Sequence, residues 1–369
     1  MSATLRVALL LASSTGGIGR HVASLAHGLS ARGADVTVYG PVDTEQRFRF
    51  TALGAGFDAV EIPASPGPRD YAAVATLRRA LRARRPDVVH AHGLRAGLVA
   101  ALARPPRTPL VVTWHNVPLG DGLRARFNAV VERRVARAAT VTLGASSDLV
   151  TRARQLGARD ARLSPVAAPA LPAPTRDRAA VRAELGAGPA RPLVLSVGRL
   201  HPQKGYHTLI DAATTWRDLM PPPLVAIAGS GPAHEELAAH VSDKRAPVVL
   251  LGHRSDVPDL LGAADLAVVS SVWEARQLFA QEAMRAGVPL VATDVGGLPE
   301  LVGDAVELVP PGDVAALSAA VRRLLCDADL RARLARRGLA RAATWPDEQD
   351  TVADVAAVYR ELTGTAVRP

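Results

Sequence analysis

Two glutamates, Glu274 and Glu282, stand seven residues apart in the run Glu274-Ala275-Arg276-Gln277-Leu278-Phe279-Ala280-Gln281-Glu282. The run follows an apolar segment that ends Val269-Ser270. If Glu274 closes a loop and Glu282 lies in the next helix, both carboxylates can face a cleft and accept hydrogen bonds from sugar hydroxyls. The helix start between them turns a positive dipole end toward a phosphate. By spacing alone, two surface charges on a helix are the better account of the pair. Gly198-Arg199-Leu200-His201-Pro202-Gln203-Lys204-Gly205 is a second candidate. Arg199 and Lys204 projecting from one strand-end loop suit a diphosphate, gripped bidentately by Arg and as a point charge by Lys. Alone, they would read as two solvated loop cations.

Three further patterns are weaker. Gly16-Gly17-Ile18-Gly19-Arg20-His21 lies between an apolar run and a helical pattern, where glycines let backbone N–H groups approach a phosphate. It lacks the full dinucleotide fingerprint, and the next strand ends Tyr39-Gly40-Pro41 with no acid for a ribose, which disfavours a nicotinamide cofactor. His90 and His92 have a spacing that invites a metal, but no third ligand is evident along the chain. No metal is expected. Asp327-Ala328-Asp329 imitates a metal-binding pair yet reads as a solvated helix start.

These residues need elements to position them. Val7–Ala12, Val36–Tyr39, Asp87–His90, Leu110–Trp114 and Thr140–Leu143 read as strands. Helical patterns over Ile18–Arg32, Tyr71–Arg84 and Arg124–Ala138 alternate with them. Such alternation implies a parallel sheet covered by helices. Prolines then crowd residues 163–192, read as a linker with one short helix, Arg178–Leu185. Strands resume at Leu193–Val197, Leu224–Ala228, Val248–Leu251, Leu266–Val269 and Leu290–Ala292. The fold class is therefore α/β, with two doubly wound Rossmann-like domains facing an interdomain cleft. The expected division is 1–170, a Pro-rich linker 171–192, and 193–349. Ligands in such sheets bind beyond the carboxyl ends of the strands.

A length of 369 residues suits two domains, and aromatics at 4% leave an Ala/Val/Leu core. The single cysteine, Cys326, excludes an intrachain disulfide framework and a multi-cysteine metal site. The net charge of +9 is uneven. Residues 1–185 carry 26 Arg, no Lys and 13 Asp+Glu; the rest carry 18 Lys+Arg against 22 Asp+Glu, giving +13 and −4. An arginine-biased composition with solvated charges, or a first half that meets something anionic, would each produce this. No segment reaches 18 apolar residues, and Leu5–Ala12 reads as a buried strand rather than a signal segment. A cytoplasmic enzyme is expected.

Taken together, these motifs resemble the retaining glycosyltransferases of GT-B architecture, specifically family 4. The resemblance covers nearly the whole chain. It rests on Gly16-Gly17, Gly198-Arg199 with Lys204-Gly205, Gly229-Ser230-Gly231-Pro232, and Glu274 with Glu282. The stretch from Glu282-Ala283-Met284 to Gly296-Gly297-Leu298-Pro299-Glu300 is especially similar. The resemblance implies that Arg199 and Lys204 bind the donor diphosphate, Glu282 the ribose, and Glu274 a hydroxyl of the donor sugar. Backbone at Gln277, Leu278 and Phe279 would line sugar and phosphate. Gly16, Gly17, Gly198, Gly229 and Gly231 would approach the donor, with His253 and Arg254 near the nucleobase. His115 matches the family's active-site histidine, and Arg20, His92 and His115 are expected on the acceptor side. No cofactor is implied, since the nucleotide-sugar is a substrate.

Two departures stand out. Ala275-Arg276-Gln277 replaces the family's glycine-containing stretch, adding bulk and donors beside the sugar; Arg276 could reach an anionic group or pair locally. Pro165-Val166-Ala167-Ala168-Pro169 replaces a glycine-containing crossing between the domains. The resemblance implies transfer of a hexose-type sugar, with retention, from a UDP-sugar or alternatively a GDP-sugar to an acceptor hydroxyl. The helix near 350–369 would pack back on the first domain. A sugar-nucleotide epimerase or hydrolase and a non-catalytic sugar-nucleotide-binding protein are the competing readings. Two helices are Arg-rich (Arg78, Arg79, Arg82, Arg84, Arg85; Arg124, Arg126, Arg133, Arg134, Arg137), and in the second Phe127, Val130, Val131 and Val135 interleave with the arginines. They point to an anionic or lipid-linked acceptor and peripheral contact with an anionic membrane. The competing account is an ordinary helix burying its apolar stripe. Few aromatics in the first half argue against nucleic acid.

Overall fold

The computed structural model describes residues 4–14, 16–63, 67, 69–118 and 122–365. The chain divides into two compact units, Met1–Ala167 with Pro346–Pro369, and Ala168–Trp345.

In the first unit, short apolar runs form β1 (Arg6–Leu11), β2 (Asp35–Gly40), β3 (Gly56–Ala59), β4 (Val88–His92), β5 (Leu110–Trp114), β6 (Val141–Gly144) and β7 (Ala161–Leu163). They pair in parallel in the order β3-β2-β1-β4-β5-β6-β7. The central strands β4 and β5 are buried throughout, as a parallel sheet covered on both faces requires. Strand β4 runs two residues further than the sequence pattern indicates, because His90 and His92 both pair in register, opposite Leu9 and Leu11.

The helix Gly17–Ala31 buries Val22, Leu25, Ala26 and Leu29 on one face. That face meets the last helix, Glu348–Thr363, whose Val352, Val355 and Tyr359 belong to the same core. A Cβ on Gly28 would lie 2.6 Å from the Val352 side chain, so glycine is what lets the two helices approach. The last helix starts at a capping box in which Asp347 and Asp350 each accept the other's backbone N–H.

The second unit repeats the plan with β8 (Leu193–Val197), β9 (Leu224–Ala228), β10 (Val248–Leu250), β11 (Leu266–Val269), β12 (Leu290–Thr293) and β13 (Glu307–Val309). All pairings are parallel, in the order β10-β9-β8-β11-β12-β13. The strand order reverses between β1 and β4 in the first sheet and between β8 and β11 in the second.

The proline-rich stretch expected as a linker packs into the second unit. Asp259 accepts from the backbone N–H of Thr175 (2.6 Å) and Arg176 (3.1 Å). Arg182, buried in the helix Arg178–Glu184, donates to Asp265 and to the carbonyls of Gly188, Arg191 and Ala263. Two hydrogen bonds pin Ala168 to the helix Leu278–Arg285: its N–H reaches Gln281 and its carbonyl accepts from Arg285. Dividing the chain where the units divide changes its charge asymmetry. The first unit carries 25 Arg against 16 Asp+Glu, a net +9, and the second carries 19 Lys+Arg against 19 Asp+Glu, a net of zero. Among the described residues no helix is long and apolar enough to cross a membrane.

Candidate active site

Each unit gathers polar side chains at its sheet's reversal point, beyond the carboxyl ends of the strands. In the first unit these are imidazoles. His92 closes β4, His115 follows β5, and His21 lies one turn into the helix after β1. His92 Nδ1 faces His115 Nε2 at 3.3 Å. The His21 ring stands edge-on to both, at 5.3 Å between centroids. His90 lies beneath His92, ring centroids 4.2 Å apart, and is fully engaged by Tyr359 Oη on Nδ1 (2.6 Å) and Thr113 Oγ1 on Nε2 (2.7 Å). Burial holds all four imidazoles neutral: His21 is pushed down to about 4 and His90 to about 3. His92 and His115 are driven well below the ordinary histidine value by burial first and then by the neighbouring imidazoles, His90 and His21. His92 and His115, both expected on the acceptor side, stand together here; His21 is not legible in the sequence, because no spacing along the chain relates a helical histidine to two strand ends. Gly16 is the N-cap of the first helix and Arg20 is exposed on its first turn.

In the second unit the reversal point carries an ion pair. Lys204 Nζ donates to Glu274 Oε1 at 2.5 Å, and Ser271 Oγ donates to the same oxygen at 2.7 Å. Three strand-end loops hold this pair in place. Ser270 Oγ donates to the Lys204 carbonyl (2.9 Å), and Gln203 Nε2 to the Trp273 carbonyl (2.9 Å). From the third loop, Gly297 N–H donates to the Glu274 carbonyl (2.8 Å). A Cβ on Gly296, whose φ is +53°, would sit 2.1 Å from that carbonyl, so no other residue fits. Gly229 and Gly231 similarly bring the loop after β9 against the backbone of Gly198 and Leu200, where a Cβ would lie 1.9 and 2.2 Å from a carbonyl oxygen. The polar residues at strand ends, Ser270, Ser271 and Thr293, are the sequence signal for this lacing.

The departure at 275–277 has a local explanation. Gln277 is the N-cap of the helix Leu278–Arg285, its side-chain oxygen accepting from Ala280 N–H at 2.5 Å. Phe279 is buried in the core, so its side chain is committed to packing. Glu282 is half-buried one turn later. Arg276 is half-buried, and burial lowers its guanidinium to about 10 against the attraction of Glu300. Arg199 and His253 are exposed. Arg254 is engaged by carboxylates, bidentate with Asp256 (2.7 and 2.5 Å) and bonded to Glu184 (2.7 Å), which raises its pKa. It serves as a structural cation of its loop. Asp327 caps the helix Ala328–Ala342, the plain role its sequence indicates.

Two doubly wound parallel-sheet units, each with a polar cluster at its reversal point, define the two-Rossmann class of α/β protein. Residues 16–169 match the family model "Glycosyl transferase 4-like domain" and residues 177–341 match "Glycosyl transferases group 1". The chain is 32% identical over 378 residues to the glycogen synthase of Mycobacterium tuberculosis strain H37Rv, covering 92% of this chain and 90% of that one. It is 31% identical over 385 residues to the D-inositol 3-phosphate glycosyltransferase of Acidothermus cellulolyticus, covering 94% and 86%. Its fold is similar to that of Anabaena HepE, solved in complex with UDP and glucose, with a TM-score of 0.81 and 23% identity, covering 97% and 100%. The chain belongs to the glycosyltransferase family described by these two models, and it is a transferase enzyme of GT-B architecture.

Proposed function

We propose that the enzyme moves a hexose-type sugar, with retention, from a nucleoside diphosphate sugar to a hydroxyl of an anionic or lipid-linked acceptor. The observation that carries this reading is the Lys204–Glu274 pair at the reversal point of the second sheet. As the glycosidic bond breaks, negative charge develops on the leaving diphosphate. Lys204 and the exposed Arg199 supply fixed positive charge there without reorganisation. Glu274, held by Lys204 and Ser271, offers its remaining lone pairs to a donor-sugar hydroxyl. Glu282 takes the ribose hydroxyls, and the start of the helix Leu278–Arg285 faces the phosphates. In a front-face reaction the leaving phosphate itself accepts the acceptor proton, so no protein nucleophile is needed. His115 lies on the acceptor side with His92 and Arg20. Retention and this front-face course rest on the family resemblance.

UDP-sugars are the favoured donors, supported by the UDP complex of HepE. The net +9 of the first unit supports an anionic acceptor. On the helix Gly122–Ala138, Val131 and Val135 are buried, while Phe127 and Val130 are 48% and 66% exposed among exposed arginines. That face supports peripheral contact with an anionic membrane. No metal takes part in the transfer.

A panel of UDP- and GDP-sugars, read by nucleoside diphosphate release with and without anionic glycolipid acceptors, tests the reading. Acceptor-dependent release from a UDP-sugar, not lowered by EDTA, with an axial product by NMR, is expected. An epimerised sugar from donor alone, or donor binding without release, would overturn it.

A further inference from the structure

The reversal point of the first sheet holds three imidazoles in a metal-ligand arrangement. One ring nitrogen from each of His21, His92 and His115 lies within 4.8 Å of the other two. Two nitrogens bound to one tetrahedral zinc ion at about 2.0–2.1 Å stand roughly 3.3–3.4 Å apart. His92 Nδ1 and His115 Nε2 are already 3.3 Å apart. His90 is not part of the set, since Tyr359 and Thr113 take both its nitrogens; it packs under His92 and fixes that ring.

The three side chains come from two strand ends and one helix, so the scaffold sets their spacing rather than a loose loop. His115 is half-buried, which leaves one approach from solvent. Three neutral imidazoles favour zinc, copper or nickel over magnesium or calcium, which take oxygen ligands.

We propose that the first unit binds one divalent cation of the zinc class through His21, His92 and His115, with the fourth position left to an oxygen ligand. The ion engages a His115 lone pair, so binding and the role proposed for His115 in transfer exclude each other. Zinc is therefore an inhibitor of turnover; that consequence rests on the proposed function, while the binding itself does not.

The test is calorimetric titration of the chelator-treated full chain with Zn²⁺, together with the visible spectrum when Co²⁺ is used instead. One ion per chain and the intense bands of tetrahedral Co²⁺ are expected. His21→Gln and His92→Ala should each weaken Zn²⁺ binding at least about 100-fold, more than removing an outer hydrogen-bond partner of a ligand does. His240→Ala, at a histidine that pairs with Asp211 in the second unit, should leave binding unchanged. If circular dichroism shows His92→Ala unfolded, the half-buried His115→Gln takes its place and should lose binding equally. Zn²⁺ binding that survives these substitutions, or an octahedral Co²⁺ spectrum of the unsubstituted chain, overturns the proposal. Inhibition of nucleoside diphosphate release by Zn²⁺ is a separate readout, so an inactive chain would leave the binding result standing.

Discussion

The two units share a plan and differ in what they put at its focal point. Each sheet reverses its strand order once, and each concentrates polar chemistry there. The first unit uses imidazoles that burial keeps neutral, whereas the second uses a charge-assisted pair, Lys204 with Glu274, braced by neighbouring backbone. Neutral imidazoles suit proton handling and soft ligands. A fixed ion pair suits a ligand that is itself charged and rich in hydroxyls, because it can exchange one partner for the ligand without creating a new charge. The same architecture thus divides its labour through the polarity of a few strand-end residues.

The sharpest way to break this contrast is to remove the cation. Lys204→Ala should lower kcat/KM for donor turnover by about 10²–10³, the cost of losing one preorganised charge-stabilising donor. Steady-state assays check this, and Zn²⁺ binding by the same variant should be unaffected.

Acidification should separate the units next. The His21 pKa is lowered in the folded chain, so the unfolded chain binds more protons between pH 6.5 and about 4. The stability contributed by keeping it neutral is complete above pH 6.5 and is lost as pH falls toward 4. For His21 alone the loss is about 3 kcal/mol. Thermal unfolding between pH 7.5 and 4.5 should show the first unit's transition falling, and His21→Phe should flatten that dependence.

Gly296→Ala is a smaller perturbation of the second unit. Its Cβ would collide with the Glu274 carbonyl, so a loss of about 1–3 kcal/mol is expected in denaturant unfolding, with a raised donor KM. The smallest effect belongs to the exposed apolar pair of the first unit. Phe127→Ser with Val130→Ser should change stability by no more than about 0.5 kcal/mol while reducing cosedimentation with anionic vesicles at low salt. Unreduced cosedimentation would remove this helix face from the membrane reading.

Long apolar runs made the central strands legible, and Leu193–Val197, Leu224–Ala228 and Leu266–Val269 occupy the residues their composition indicates. The edge strands Gly56–Ala59, Ala161–Leu163 and Glu307–Val309 were not legible, since each is three or four residues long with charged or small members. Prolines between 171 and 192 looked like a linker, but Asp259 and Asp265, far along the chain, hold that stretch against the second unit. The charge division shifted for the same reason: Arg176, Arg178 and Arg182 belong to the second unit, and the acids of the last helix to the first. Family pattern found Lys204 and Glu274, yet their direct bond is a property of folding. His21 joined His92 and His115 only through the sheet order that sets β1 beside β4.

The last helix sets a schedule for synthesis. Val352, Val355 and Tyr359 complete the core of the first unit, and Tyr359 supplies a partner to His90 deep in β4. Residues 168–345 must leave the ribosome before those side chains exist. At 5–20 residues per second that interval is roughly 10–35 s. Throughout it the nascent first unit presents an unfilled apolar groove along the helix Gly17–Ala31, open to chaperones and to neighbouring chains. The second unit, contiguous in sequence, has no such wait, so the half of the molecule made first is the half that finishes folding last.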